Sequence, residues 1–179
     1  LELGEGADAL TTSSGLVLGV AADGAVTRLV LSAGATRTQA SGTLHGSGPV
    51  DQVTAVGDTL VALSGSTLRT TSQSVDLTAF GSGFVLQQPG PADTQVLVAS
   101  TTALLEIDLG SGAVTQERSG GAGTPTAPVR LGGCGYAAWA SATTNFLQRC
   151  PSGSSVSELE EVTPADRLVF RVNRDVLVL

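Results

Sequence analysis

Lysine and methionine are missing from this 179-residue chain, and histidine, tryptophan and tyrosine occur once each. All nine basic residues are therefore arginine, set against 16 carboxylates for a net charge of −7. A nucleic-acid surface needs clustered Arg or Lys. Here the arginines run singly from Arg28 onward, with a loose group only at Arg167, Arg171 and Arg174 that reads as solvated strand ends. No nucleic-acid partner is expected, and the acidity is a matter of solubility. No apolar run reaches the ~18 residues that a membrane-spanning helix needs, so no membrane contact is expected of this segment.

The scarcity of reactive side chains excludes most chemistry. The single histidine, His45, sits in the loop sequence TLHGSGP, with no catalytic partner at a recognisable spacing. Ser13-Ser14-Gly15 and Ser82-Gly83 are turn sequences, not nucleophile elbows, because no helical pattern follows them. Gly132-Gly133-Cys134-Gly135 precedes a strand pattern and lacks the lysine of a phosphate-binding loop. Asp51, Asp58 and Asp76 show no Asp-x-Asp-x-Asp pattern and read as turn residues. The chain carries no Asn-x-Ser/Thr sequon. No catalytic, cofactor-binding or metal residues are assigned, and the chain is read as a non-enzyme. Trp139 reads as core.

What is abundant is glycine, at 23 residues, with short Val- and Thr-rich runs between glycine-containing breaks. Lys, Gln and Met, which favour helix, are absent or scarce, and β-branched residues dominate. The fold class expected is all-β. The clearest stretch is 95–115, QVLVASTTALLEIDLGSGAVT. Two apolar runs flank Thr101-Thr102, the length of a two-residue hairpin loop, and Asp108 to Gly112 supplies turn-forming residues before a third extended segment.

The same pattern recurs. Apolar runs LVLGVA, LVALS, VLVAS, YAAWA and LVFRV begin at 16, 60, 96, 136 and 168, so successive starts lie 44, 36, 40 and 32 residues apart. Each has a hairpin partner, at 25–31, 67–71, 103–109, 145–150 and 175–179. Candidate inner strands lie at 7–13, 50–56, 83–88 and 128–131, with another near Val162; candidate outer strands lie at 36–44, 74–79, 113–118 and 156–161. Asp23-Gly24 matches the favoured type I′ pair for the first hairpin. SELEEV at 157–162 fits either an edge strand or one helical turn.

A period near 40 residues is that of four-stranded propeller blades. Runs such as LVLGVA and VLVA do not alternate, so both faces are apolar, yet short hairpins make the sheet antiparallel. Antiparallel strands buried on both faces need a sheet on each side, which radially packed blades supply. The expectation is a β-propeller, or an arc of one, with about four to five antiparallel four-stranded blades forming a single domain over 1–179. An immunoglobulin-like pair of sandwiches is the alternative. Residues 1–6 either close a small ring as the outer strand of the fifth blade, or the chain is an arc of a larger ring. The lack of an initial Met and the apolar final residues read as a piece of a longer protein.

Cys134 and Cys150 are the only cysteines. In an antiparallel hairpin centred on Ala142, Tyr136 faces Gln148, Ala138 faces Phe146, and Cys134 faces Cys150. Opposed Cα atoms lie about 4.5–5.5 Å apart, within reach of a disulfide. Such a bridge implies an oxidising compartment, hence an extracellular or cell-surface location. The alternative is two free buried thiols.

Two resemblances add to this. Leu105-x-Ile107-Asp108-x-x-Ser111-Gly112 resembles the Asp-x-x-Thr-Gly turn in blades of quinoprotein-like propellers, which hold their cofactor with stacking Trp and a calcium ion. With one Trp in the chain, that cofactor binding is not carried over. APVRLGGCGYAAW at 127–139, Cys150-Pro151, and LVFRVNRDVLVL at 168–179 resemble very large actinobacterial surface proteins labelled fibronectin type III or Ig-like domain proteins. That resemblance implies a propeller-like region placed before a long array of Ig-like domains. It brings no functional residues. The function expected is a non-catalytic structural or binding module presenting blade loops to a protein or glycan. The alternatives are a dedicated glycan-binding propeller, or part of a propeller enzyme whose catalytic residues lie elsewhere. A homodimer completing the ring is a further possibility.

Overall fold

The computed structural model describes residues 8–11, 17–32, 35–119, 122–159, 168–173 and 176–179. It is all-β, built from several small antiparallel sheets. The expected strands at 1–6 and near Val162 lie outside the described residues, as do parts of 7–13, the end of 156–161, and the Arg174 turn. The chain divides into two compact units, residues 1–77 with 89–94, and residues 78–88 with 95–179.

The first unit holds two four-stranded meanders. One contains β1 (Asp8–Thr11), β2 (Val17–Val20), β3 (Ala25–Ser32) and β4 (Ala35–Thr43) in that order. The other contains β5 (Gln52–Val56), β6 (Thr59–Ser64), β7 (Thr67–Arg69) and β8 (Ser74–Asp76). The two pack through Leu18, Val20 and Val26 against Leu60 and Ala62. Leu60 and Ala62 alternate with Val61 and Leu63 along β6, and all four are buried, so this strand is covered on both faces.

Asp23-Gly24 does not form the expected type I′ pair. Gly24 N donates to Ala21 O at 2.8 Å and Ala21 N to Ala25 O at 2.9 Å, so Ala22 and Asp23 are the central residues and Gly24, at φ 86°, follows them. This is the three-residue loop whose third position is a left-handed glycine. The Asp23 carboxylate accepts from Ala25 N at 2.9 Å, which suits aspartate to the centre of such a turn. The expected outer strand at 74–79 ends at Asp76, and a 3₁₀ turn over Thr78–Phe80 follows.

The second unit stacks three sheets. The first contains β9 (Val85–Leu86), β10 (Gln95–Ala99), β11 (Ala103–Asp108) and β12 (Val114–Arg118). The next contains β13 (Thr124–Pro125), β14 (Val129–Leu131), β15 (Cys134–Ala140), β16 (Thr144–Cys150) and β17 (Gly153–Leu159). The last pairs β18 (Arg171–Asn173) with β19 (Val176–Val178). Strand β13 lies between the expected strands at 113–118 and 128–131, and it extends the β15 ladder beyond β14. The described part of the SELEEV segment is strand, and β17 starts earlier than expected, at Gly153.

The β15–β16 register is the expected one: Tyr136 opposes Gln148 and Ala138 opposes Phe146. Period-2 alternation then sends Ala137 and Trp139 to one face and Tyr136 and Ala138 to the other. The first face meets Leu97, Ala99 and Leu104 of the preceding sheet. The second meets Phe170, with Leu177 packed alongside, so the middle sheet is covered on both sides. Trp139 is fully buried, and its Nε1 donates to Ser100 O at 2.7 Å, which satisfies its only polar atom.

Candidate functional site: a disulfide beside an ion-pair cluster

The polar centre of the second unit is built by register. Arg130 of β14 and Arg149 of β16 both oppose Gly135 of β15, so the three form one row across the sheet. Leu97 of β10 opposes Glu106 of β11, which opposes Thr115 of β12, forming a second row. The two rows face each other. A Cβ on Gly135 would meet Leu97 Cδ1 at 3.0 Å, so glycine at this position lets the sheets close.

Closure brings the charges together. Glu106 Oε2 lies 3.3 Å from Arg149 Nε, and Glu106 Oε1 lies 3.7 Å from Arg130 Nη2. Glu117 of β12 reaches Arg149 Nε at 3.5 Å and accepts from Ser154 Oγ at 3.1 Å. The side chains of Arg130 and Glu106 are 7% and 10% exposed, and that of Arg149 is 26% exposed. Charges this deep are tolerated only when paired. The cluster borders a cavity of about 240 Å³, whose wall includes Thr115, Gly133, Cys150 and Pro151.

Cys150 belongs to the wall of this cavity, but strand alternation puts its sulfur on the other face of the sheet, with Gln148. Cys134 opens β15 and Cys150 closes β16; they are bonded, with Cα atoms 4.3 Å apart. Leu131 opposes Cys134 across a two-residue turn, and both turn residues, Gly132 and Gly133, have positive φ, which is type I′ geometry. The bridge thus ties that turn to the Pro151-Ser152 turn that leads into β17. Gln148 Nε2 lies 3.1 Å from Cys150 Sγ and 3.9 Å from Cys134 Sγ.

Other residues considered from sequence have partners of their own. His45 is exposed, and its main chain does the bonding: His45 N donates to Thr70 O at 2.7 Å, and His45 O accepts from Arg69 Nε at 2.9 Å. Asp51 caps a turn by accepting from Gly65 N, and Asp58 pairs with Arg28 at 3.7 Å. Asp108 accepts from Ser111 N, Ser111 Oγ and Gly110 N. Those bonds, Ser111's first, hold its carboxyl below the ordinary value of 3.8. Among the described residues no group of three His, Cys, Asp or Glu is placed to hold a metal ion.

The Arg130–Glu106–Arg149 cluster went unread in the sequence, where the arginines looked scattered. One signal was available. Glu106 interrupts the otherwise apolar ALLEI at 103–107, and a carboxylate inside a strand buried on both faces requires a cationic partner.

A second feature is an apolar groove of about 300 Å³, lined by Tyr136, Phe146, Phe170 and Leu177 among others. The Phe146 ring centroid lies 6.0 Å from Tyr136 and 6.3 Å from Phe170, the latter edge-to-face. No helix among the described residues is long and apolar enough to cross a membrane. No family model matches the chain, and no curated protein matches its sequence.

Proposed function

We propose that the chain is a non-catalytic β-propeller segment of a secreted or cell-surface protein, acting as a structural or binding module. The observation that carries the reading is the stacking in the second unit. The sheet containing Trp139 is antiparallel and hairpin-connected, yet it is covered by a sheet on either side. Blades packed around an axis have this property, whereas a two-layer sandwich leaves one face of each sheet wet. A further point against the immunoglobulin-like alternative is that the disulfide joins neighbouring strands of one sheet, not two facing sheets. The bridge supports an oxidising compartment. The likeness of residues 127–139 and 168–179 to large actinobacterial surface proteins supports a place at the cell surface.

The test of this reading begins with protein taken from its native source and alkylated before lysis. Export predicts that Cys134 and Cys150 resist alkylation until reduced. Two freely alkylated cysteines in folded protein would sink the compartment, and catalytic turnover by the chain alone would sink the module. A glycan-binding reading is favoured by one feature, the groove with Tyr136 and Phe146 on its wall, since sugar faces stack on aromatic rings. A glycan array in which Tyr136→Ala abolishes every hit supports it; an array without hits removes it and leaves a protein partner.

A further inference from the structure

Strand β17 has a neighbour on one side only. Among the described residues it pairs with β16, and no main-chain bond reaches it from the other side. All its residues but Leu159 are exposed, including the apolar Val156 at 47%. Open sheet edges attract other strands, and proteins blunt them with bulges, prolines or charge. The β3–β4 ladder has a bulge, β13 contains Pro125, and β12 ends on Glu117-Arg118. Strand β17 has seven residues of unbroken ladder, no proline and one charge, Glu158. We propose that β17 is the interface of a homodimer, pairing antiparallel with β17 of a second copy about a twofold axis at Val156.

The register follows from the main chain. Cys150 and Gly153 flank the two-residue Pro151-Ser152 turn, so they exchange both main-chain bonds, and so does every second pair after them. Gly153, Ser155, Ser157 and Leu159 therefore bond to β16. Ser154, Val156 and Glu158 turn their N–H and C=O groups outward. Only an axis at Val156 pairs all three: Val156 meets Val156 of the second copy, and Ser154 meets Glu158 in both directions. An axis at Glu158 would set two carboxylates directly opposite each other, which is unfavourable.

The Val156 axis also continues an existing apolar row. Ala137, Leu147 and Val156 lie opposite one another across β15, β16 and β17, and the second copy prolongs the row with its own Val156 and Leu147. A strand that complements itself in hydrogen bonding, apolar contact and charge is fitted to its own copy rather than to an unrelated strand. The contact is isologous, so it uses up the edge and closes at two copies. A dimer that completes a ring would instead join sheet faces.

An edge contact belongs to the small, transient class of interfaces, so a dissociation constant of about 10 µM is expected. Sedimentation of the unaltered chain from about 1 µM to about 1 mM should show monomer passing to dimer and no further. Over about 10 µM to about 1 mM, NMR amide exchange at Ser154, Val156 and Glu158 should slow about fivefold or more, as the monomer fraction falls. The same amides in Val156→Pro, which removes one outward N–H and leaves the β16 ladder its bonds, should exchange independently of concentration. In a mixture of isotope-labelled and unlabelled chains, a filtered contact between Ser155 of one copy and Ser157 of the other fixes the register. A chain still monomeric at about 1 mM overturns the proposal and leaves the edge to a strand of another protein. So does an open-ended series of oligomers, slow exchange at these three amides in the monomer, a dimer that survives Val156→Pro, or a filtered contact in another register. The exchange and contact measurements use the unaltered sequence, so they stand even if Val156→Pro fails to fold.

Discussion

Two glutamates on adjacent strands, Glu106 and Glu117, both pair with Arg149, and burial alone should separate their contributions. Glu106 is 8% exposed and also faces Arg130, whose own side chain is almost sealed from water. Replacing it with alanine removes a carboxylate that two guanidiniums share in a nearly buried setting, a loss of about 3–5 kcal/mol. Glu117 has a side chain 27% exposed and shares an arginine that retains Glu106, so Glu117→Ala should cost about 1 kcal/mol or less. Glu106→Gln keeps the shape and some hydrogen bonding but removes the charge, and should fall between the two. Urea denaturation followed by Trp139 fluorescence reads this directly, since the indole is packed between the same two sheets. The reasoning is refuted if Glu117→Ala costs as much as Glu106→Ala. It is also refuted if Glu106→Ala shifts the unfolding free energy by less than about 1 kcal/mol, the level of an exposed pair.

Three further outcomes are expected. Arg69 is 1% exposed and donates to the carbonyls of His45, Gly46 and Gly48 and to Ser64 Oγ, so Arg69→Ala should speed amide exchange at residues 45–50. A protection pattern unchanged by the substitution counts against the clamp. The Cys134→Ala/Cys150→Ala double variant should lose about 3 kcal/mol, the closure entropy of a loop whose ends are 16 residues apart, in the same urea assay. Asp108 has a lowered carboxyl pKa in the folded chain, so its contribution is present above the ordinary value of 3.8 and is lost as pH falls through the lowered one. An NMR titration should place its midpoint below that of an unfolded peptide, and Ser111→Ala should raise it; an unmoved midpoint refutes the role given to Ser111.

Much of the local structure was legible because its causes are local. Apolar runs with small polar breaks marked the central hairpins, and the Ala142-centred register followed from counting residues between two strands. Where local chemistry was ambiguous, reading failed. Asp23-Gly24 serves two turn types, and main-chain bonding to Ala21 selects the three-residue loop. Thr124-Pro125 has no strand pattern, but Thr124 opposes Ala140 and Pro125 opposes Trp139. That pairing is supplied by the sheet, not by the residues' own preference. Proline is tolerated there because β13 lies at the sheet's edge.

The amino-acid order alone determined that the chain is all-β, which strands are apolar on both faces, and which cysteine each cysteine can meet. These depend on side-chain alternation and turn length, which act over a few residues. Only the tertiary structure decided that Glu106 meets Arg130 and Arg149. Those partners are 24 and 43 residues away in sequence, and they meet because one row of side chains lands opposite another when two sheets pack over Gly135. No rule of spacing within a strand fixes which rows of two sheets will face each other; the fit of Leu97 onto a glycine does.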